Sequence, residues 1–192
     1  MGTTNTQLRE MIDNFGITGF RGCYYKDMLT SLETNSSYII NLEDKLDSDG
    51  NINNGTHWTC LVTNFRNQAI YFDPFGFKMP KCVESLLKNY KYEYAHTTKQ
   101  VQNKITDLCG YWCVSFIYFI KRHPKRTKNI YKDANIFLGL FEDLKQVKSL
   151  KNEYILSMFF IKKNKEILEN NNNVFSKVLP KTFKIENVSL YT

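Results

Sequence analysis

The stretch KITDLCGYWCVSFIYFIKRHP, from Lys104 to Pro124, carries a long apolar run between Trp112 and Ile120. The run predicts a buried helix from Cys109 to Arg122. The last two residues of this helix are cationic, which suits the negative end of a helix dipole, and a proline that follows would prevent the helix from continuing. The run is far too short to span a bilayer. The stretch therefore predicts a helix in the core of a soluble protein, with a cysteine as its first residue.

Cys109 has the placement of a reactive thiol. At a helix N-terminus and near a histidine, the pKa of a cysteine thiol is lowered, which favours the nucleophilic thiolate. Gly110, which follows it, would leave room for a substrate backbone to approach. Cys113 lies one turn further along the same face, where we expect a small core residue. The stretch thus predicts one reactive and one structural cysteine.

The whole chain has the composition of one soluble domain. It has 192 residues, of which 42% are hydrophobic, and this is enough to bury a substantial core. A single domain is predicted over residues 1–169, followed by an Asn-rich linker and C-terminal arm over residues 170–192. Five unevenly spaced cysteines favour a reducing compartment, and the start carries no secretory signal. The net charge of +7 allows binding to nucleic acid.

Hydrophobic periodicity predicts a mixture of helices and strands. Glycines at 16, 19 and 22 predict a loop. Strands or extended segments are expected at 37–42, 57–64, 69–73, 92–96 and 99–102. Helices are expected at 6–15, 83–90, 109–122, 134–150 and 153–168. The strands at 57–64 and 69–73 are predicted to pair as a hairpin.

The hairpin brings a histidine and a carboxylate together. His57 opens its first strand and Asp73 ends its second, so both lie at the same edge of the sheet. A base that activates a thiol needs such an acceptor for its other ring nitrogen. The other histidines fit less well, because His96 ends an extended segment beside threonines and His123 lies at the cationic end of the helix. His57, Asp73 and Cys109 are therefore the candidates for nucleophilic chemistry.

Acyl transfer also needs hydrogen-bond donors for an oxyanion. The backbone amide of Cys109 would supply one donor. The second would be a side-chain amide, from Gln100, Gln102 or Asn103. Spacing leaves the choice among these three open.

A zinc site is the competing interpretation of the same residues. It would need one metal centre to be shared by His57, Cys60, Cys109 and Cys113. Residues 57 and 60 of one strand point to opposite faces of a sheet, because side chains alternate along a strand. This geometry argues against a shared metal ion.

Four stretches together carry a family resemblance: MGTTNTQLREMIDNFGI at the start, HW at 57–58, YFDPFGF at 71–77, and Gln102 seven residues before CGYWC at 109–113. They resemble the adenain family of adenovirus maturation proteases and its relatives in virophages and Maverick/Polinton elements. The resemblance is strongest to the virophage (Mavirus-like) and Maverick/Polinton proteases, and it extends from the start of the chain through the predicted helix at 109–122. It implies an α+β cysteine proteinase fold, also seen in ubiquitin-like-protein proteases, in which a central mixed sheet packs on a helix that bears the nucleophile at its N-terminus.

The resemblance implies a role for each candidate residue. Cys109 would be the nucleophile and His57 the general base. Asp73 would orient His57, and Gln102 would be the side-chain oxyanion donor. Adenain has a glutamate where this chain has Asp73, and aspartate is what the ubiquitin-like-protein proteases use. Those relatives lack the Pro-Phe-Gly sequence and have a gap one residue shorter between glutamine and cysteine.

Two alternatives stay open beside an adenain-like protease. An isopeptidase that removes ubiquitin-like modifiers would share the chemistry and differ in its substrate. A basic nucleic-acid-binding protein with structural cysteines would have no catalytic activity. It would bind nucleic acid with a steep salt dependence and would have no selectively reactive thiol.

The resemblance also implies a substrate, a cellular location and candidate activators. We expect a viral cysteine endopeptidase that cleaves capsid or other virion precursor proteins near Gly-rich sites. It would act as a monomer, without a membrane partner, in the virion and the host-cell cytoplasm (virus factory). The chemistry would need no cofactor or metal, with DNA and an activating peptide as candidate activators. Basic residues at 121, 122, 125, 126 and 128 form a candidate DNA-contact patch, and the segment after Asn173 is predicted to replace the peptide by adding a strand.

Overall fold

The computed structural model describes residues 3–123, 126–127 and 129–161. In chain order, the elements are α1 (Asn5–Asn14), β1 (Phe20–Tyr25), β2 (Ser37–Asn41), β3 (Trp58–Thr63), β4 (Gln68–Phe72), α2 (Lys81–Asn89), β5 (Glu93–His96), α3 (Cys109–Arg122), α4 (Ile130–Gly139) and α5 (Lys151–Ile161). This part of the chain is α+β, as the sequence predicts. None of the helices in it is long and apolar enough to cross a membrane.

The described strands form one mixed sheet in the order β1-β2-β3-β4-β5. The outer pairs β1–β2 and β4–β5 are parallel, and the inner pairs β2–β3 and β3–β4 are antiparallel. β3 and β4 form the predicted hairpin, in which Cys60 faces Phe72 and Thr63 faces Ala69. The open end of this hairpin leads to residue 57 on one strand and to residue 73 on the other.

The helix α3 is buried against one face of the sheet, and all of its residues from Cys109 to Ile117 are buried. The ring of Phe116 stacks on Phe72 of β4, with ring centroids 4.4 Å apart. The thiol of Cys60 on β3 donates a weak hydrogen bond of 3.8 Å to the carbonyl oxygen of Cys113. Burial raises the pKa of the Cys113 thiol well above its ordinary value. Cys113 is thus the core residue that the sequence predicts.

The opposite face of the sheet carries a second apolar cluster, which α2 covers. Val83 and Leu87 of α2 pack in this cluster with Leu61 and Tyr71 of the hairpin. Cys60, next to Leu61, belongs to the cluster around α3 instead. Because both faces are covered, the central strands are continuous apolar runs.

The helix α1 begins at a capping box. The Thr4 hydroxyl accepts a hydrogen bond of 3.3 Å from the Gln7 amide, and the Gln7 side chain accepts one of 2.9 Å from the Thr4 amide. Leu8, Met11 and Ile12 are buried in the cluster that contains α3. The helix predicted at 6–15 is therefore present and starts one residue earlier.

The loop predicted around glycines 16, 19 and 22 is wrong in part, because β1 begins at Phe20. This strand pairs in parallel with β2, and its register is irregular between Phe20 and Gly22. Gly22 has a φ of +143°, which suits glycine. A partner strand that lies further along the chain stabilises a segment whose own sequence favours a loop.

The extended segment predicted at 99–102 is not a strand. The backbone amides of Val101 and Gln102 both donate to the carbonyl oxygen of Pro74, at 2.9 and 3.0 Å. The carbonyl oxygen of Gln100 accepts a hydrogen bond of 2.8 Å from the amide of Leu144. Contacts with distant segments therefore set its conformation.

The helix predicted at 134–150 is wrong at both ends. The helix α4 starts after Asn129, whose side chain accepts hydrogen bonds from the amides of Tyr131 and Lys132, and it ends at Gly139. The next predicted helix, at 153–168, begins at Lys151 as α5. Its residues beyond 161, together with the predicted linker and arm at 170–192, lie outside the described residues.

Candidate active site

The open end of the β3–β4 hairpin brings His57 and Asp73 together. His57 directly precedes β3 and Asp73 directly follows β4. The Nε2 atom of His57 lies 3.0 Å from the Oδ1 atom of Asp73. The exposed fraction is 11% for the His57 side chain and 0% for the Asp73 side chain. The predicted juxtaposition is confirmed, and the bond between the two side chains is sheltered from water.

A tight turn fixes the Asp73 carboxylate. Its Oδ1 atom also accepts a hydrogen bond of 2.7 Å from the amide of Phe75, and the amide of Gly76 donates to the Asp73 carbonyl oxygen at 2.8 Å. Gly76 has a φ of +68°, and a Cβ atom there would collide with the carbonyl oxygen of Thr98. The sequence DPFG therefore builds a turn that requires glycine at its end.

The ring of Phe75 covers one face of His57. The two rings are stacked, with centroids 4.6 Å apart and an interplanar angle of 20°. Together with the hydrogen bond to Asp73, this contact fixes the orientation of the imidazole. Sequence reasoning assigned no role to Phe75, although the residue lies within the YFDPFGF stretch.

Cys109 continues the chain of contacts that begins at Asp73. It is the first residue of α3, as predicted, and it is 7% exposed. Its side chain lies close enough to His57 to contribute to the raised pKa of the imidazole. Since Nε2 of His57 faces Asp73, Nδ1 is the ring nitrogen left for Cys109. The structure thus brings Asp73, His57 and Cys109 together in that order.

The surroundings of His57 favour its protonated form. Burial disfavours the imidazolium and lowers the pKa, but hydrogen bonds to Asp73 and Cys109, with their negative charges, outweigh burial. The pKa of His57 rises as a result from 6.5 to about 9, so the ring is mostly protonated at pH 7.

Gln102 lies between the DPFG turn and the start of α3. Its backbone amide donates to the carbonyl oxygen of Pro74 at 3.0 Å, and its side-chain Nε2 donates to the carbonyl oxygen of Thr106 at 2.6 Å. The amide nitrogen carries two hydrogens, so one remains for another acceptor. The Oε1 atom is buried and has no hydrogen-bond partner among the residues that the structure describes.

The two competing amides help to shape the loop that carries Gln102. The side chain of Gln100 donates to the carbonyl oxygen of Gln102 at 3.1 Å. The Oδ1 atom of Asn103 accepts a hydrogen bond of 3.2 Å from the amide of Ile105. Both side chains therefore take part in hydrogen bonds to the local backbone.

Gly110 does not open the site to a substrate backbone, contrary to the expectation from the sequence. A Cβ atom there would lie 2.8 Å from Cδ2 of Leu8 and 2.9 Å from Cβ of Thr3. Trp58, the residue after the histidine, donates from Nε1 to the carbonyl oxygen of Thr3 at 2.9 Å. The absent side chain at Gly110 therefore makes room for the N-terminal segment, which contacts both halves of the site.

Two polar residues at the start of α5 anchor the loop around Gln102, and sequence reasoning missed them. Asn152 donates from Nδ2 to the carbonyl oxygen of Val101 at 3.0 Å, and Glu153 accepts a hydrogen bond of 2.8 Å from the amide of Asn103. Asn152 and Glu153 are both fully buried. The signal in the sequence was a polar pair at the head of the apolar segment NEYILSMFF.

The proposed zinc ligands do not converge. Within the described ranges, no group of three or more His, Cys, Asp or Glu side chains could hold a metal ion. Cys60 contacts Cys113 inside the core. His96 ends β5 and His123 stacks on Phe119, so neither takes the place of His57 beside Asp73.

No protein-family model matches the chain. Over 178 residues, the chain is 24% identical to a protein named "Protease" from Bovine adenovirus B serotype 3, in an alignment that covers 81% of this chain and 82% of that protein. This similarity suggests a viral protease. It supports the resemblance to adenovirus-type proteases, and a protease implies a protein substrate.

Proposed function

We propose that the protein is a viral cysteine endopeptidase in which Cys109 is the nucleophile, His57 the general base and Asp73 the residue that orients the histidine. The observation that carries the proposal is the chain of contacts from Asp73 through His57 to Cys109, at the first residue of α3. The similarity to an adenovirus protease supports the same conclusion.

In the first half of the reaction, the Cys109 thiolate attacks the carbonyl carbon of the scissile peptide bond. The C–S bond forms as the carbonyl π electrons move to the oxygen, which accepts hydrogen bonds from the Cys109 amide and the uncommitted N–H of Gln102. The His57 imidazolium gives its proton to the leaving nitrogen as the C–N bond breaks. The products are a free amine, a thioester on Cys109 and a neutral imidazole.

Water completes the reaction. Neutral His57 takes a proton from a water molecule as the water oxygen attacks the thioester carbon. The C–S bond then breaks, the carboxylic acid product leaves, and the thiolate and imidazolium are restored. Throughout, Asp73 accepts the hydrogen bond from Nε2 that holds the ring in place.

The resemblance also supports finer proposals. The substrates would be capsid or other virion precursor proteins, cleaved near Gly-rich sites in the virion and the host-cell cytoplasm. The enzyme would be a monomer of the virophage or Maverick/Polinton type, with one protease domain at 1–169 and an arm at 170–192. The chemistry would use only the chain's own residues, and DNA or a peptide would act as an activator. An isopeptidase for ubiquitin-like modifiers would use the same site, so cleavage of a virion precursor against a ubiquitin-like fusion separates the two.

Site-resolved alkylation of the full-length protein tests the central proposal. Iodoacetamide is applied at several pH values, with and without DNA, and mass spectrometry quantifies each cysteine. We expect Cys109 to react faster than the exposed Cys82 at pH values below about 8.5, where an ordinary thiol is mostly protonated. Replacement His57→Ala should slow the reaction of Cys109 and leave that of Cys82 unchanged.

Cys113 is the second internal reference. It is fully buried and its pKa is raised, so it should stay unmodified. If Cys109 is as inert as Cys113 in every condition, or if His57→Ala leaves its rate unchanged, the proposal is wrong. A basic nucleic-acid-binding protein with structural cysteines would give that result.

A further inference from the structure

A cavity of about 430 Å³ lies at the end of α3 that is opposite to Cys109. Its walls include Lys121 and Arg122 from the last turn of α3, Arg126 from the segment that follows, and Arg66 from the turn between β3 and β4. At 1.5 Å per residue, the helix places this cavity about 20 Å from Cys109. The cavity is therefore separate from the candidate active site.

The cavity carries four cations and one carboxylate. The carboxylate, Asp133, accepts hydrogen bonds from the amide and the hydroxyl of Thr127. None of the four cations forms an ion pair with another residue that the structure describes. The carbonyl groups at the end of α3 supply only about half a negative charge, which is too little to neutralise four cations. The cavity thus has the electrostatics of an anion-binding site.

Lys121 is held in place inside the cavity. Its Nζ atom donates to Oδ1 of Asn35 at 3.1 Å and to the carbonyl oxygen of Thr63 at 3.2 Å, which leaves one of its three N–H groups for a ligand. Burial and the positive charges of Arg126 and Arg21 lower the pKa of Lys121 to about 8. An anion in the cavity would relieve this repulsion.

We propose that this cavity binds the terminal phosphate of a small ligand, either a nucleoside triphosphate or an inorganic polyphosphate. A guanidinium group can bind two phosphate oxygens at once through parallel hydrogen bonds. The volume of the cavity also lies in the range of about 300–1,000 Å³ that is usual for pockets that bind small ligands. Lys121 is half-buried, whereas the three arginines are exposed. We therefore expect a terminal phosphate, which has three free oxygens, to reach Lys121 more readily than a backbone phosphodiester, which is flanked by sugars on both sides.

Phe65 lies at the rim of the cavity and is 78% exposed. An exposed aromatic ring beside a phosphate site offers a stacking surface for a nucleobase. A nucleotide would use this ring and an inorganic polyphosphate would not. Phe65 therefore separates the two sources of the terminal phosphate.

Isothermal titration calorimetry of the full-length protein tests the proposal with three probes: tripolyphosphate, ATP, and a short oligonucleotide without terminal phosphates. We expect saturable binding of tripolyphosphate, ATP or both, and much weaker binding of the oligonucleotide. Arg126→Gln and Lys121→Met should each weaken binding about tenfold, the effect of losing one charge-assisted hydrogen bond. Lys88→Met, at an exposed position on α2, is the control and should change the affinity by less than about twofold.

Two cavity variants are needed because Lys121→Met also removes the hydrogen bonds to Asn35 and Thr63, while the Arg126 side chain forms no ion pair with the residues that the structure describes. Thermal melting by circular dichroism checks that each variant is folded. Weaker ATP binding by Phe65→Ala assigns the site to a nucleotide, and unchanged ATP binding assigns it to polyphosphate. The proposal is overturned if neither phosphate probe binds saturably, if Arg126→Gln binds as well as the wild type, or if the oligonucleotide binds as tightly as ATP.

Discussion

The carboxylate of Glu153 accepts a hydrogen bond of 2.8 Å from the backbone amide of Asn103. Its neighbour Asn152 donates a bond of 3.0 Å to the carbonyl oxygen of Val101. Gln102 lies between the two anchored residues, so the first turn of α5 fixes the backbone on both sides of the proposed oxyanion donor. Burial raises the pKa of Glu153, and the bond from Asn103 lowers it in part.

Glu153→Leu should lower kcat by about tenfold or more with little change in KM. Losing an oxyanion donor costs about 10²–10³ in rate, and a smaller loss is expected here because Glu153 would act only by positioning the donor Gln102. Glu153→Gln keeps an oxygen acceptor for the Asn103 amide and should restore most of kcat. Steady-state kinetics with a peptide that the wild type cleaves measures both. Faster amide hydrogen exchange at Asn103 without any loss of kcat would show that the contact is structural only.

Asp73→Asn should lower the pKa of His57. Burial lowers this pKa, and the hydrogen bond to Asp73 is the leading reason that it nevertheless rises to about 9, followed by the hydrogen bond to Cys109 and the charge of Asp73. Asparagine keeps the shape of the side chain and removes the charge, so we expect cleavage at pH 7 to fall by about 10²-fold, within the range of general acid–base catalysis. NMR titration of the His57 ring follows the pKa directly. Asp47→Asn, at an exposed loop position, is the control, and an unchanged pKa in Asp73→Asn contradicts the assigned role.

The hairpin and α3 were predictable because the sequence patterns that determine them lie within the elements themselves. Apolar runs around a short polar turn define β3 and β4, and the antiparallel pairing then places residues 57 and 73 at the same end of the hairpin. The helix α3 is a long apolar run that ends in two cations and a proline. The hairpin predicts that His57 and Asp73 lie close together, and α3 predicts that Cys109 is the first residue of a helix. The resemblance predicts that all three belong to one site.

The remaining features depend on partners far along the chain. Segment 99–102 has an extended pattern, but Pro74 and α5 set its conformation. The helix predicted at 134–150 stops early, and Lys99 binds carbonyl oxygens on both sides of its end, donating to Leu138 at 2.9 Å and to Phe141 at 2.5 Å. The roles of Asn152 and Glu153 were hidden for the same reason, because their partners lie about fifty residues earlier.

His57 should make stability depend on pH. Its pKa is about 9 in the folded protein and about 6.5 in an unfolded chain. The resulting stabilisation, at most about 3 kcal/mol, is fully present below about pH 6.5 and is lost as the pH rises through about 9. Urea unfolding of the wild type and His57→Gln between pH 6 and pH 10 measures this contribution, because groups that do not interact with His57 titrate equally in both proteins. Parallel pH curves for the two proteins would assign the dependence to those other groups.

Gly110→Ala should destabilise the protein at the start of α3. The new Cβ would lie 2.8 Å from Cδ2 of Leu8 and 2.9 Å from Cβ of Thr3, and overpacking of this kind costs about 1–3 kcal/mol. Gly139→Ala is the matched control, because Gly139 ends α4 and nothing lies within 4 Å of its added Cβ. We expect the control to lose nothing or to gain up to about 1 kcal/mol, the difference in helix propensity between the two residues. Chemical denaturation measures both variants.

Thr3→Gly identifies the cause of that destabilisation. In the double variant with Gly110→Ala, the two Thr3 atoms nearest the new Cβ are absent, and the remaining neighbour, Cδ2 of Leu8, is the end of a flexible side chain. The hydrogen bond from Trp58 uses the Thr3 carbonyl oxygen, which glycine keeps. We therefore expect the double variant to recover most of the lost stability. If instead the two losses simply add, the N-terminal segment does not limit the space at Gly110, and the destabilisation arises within α3 itself.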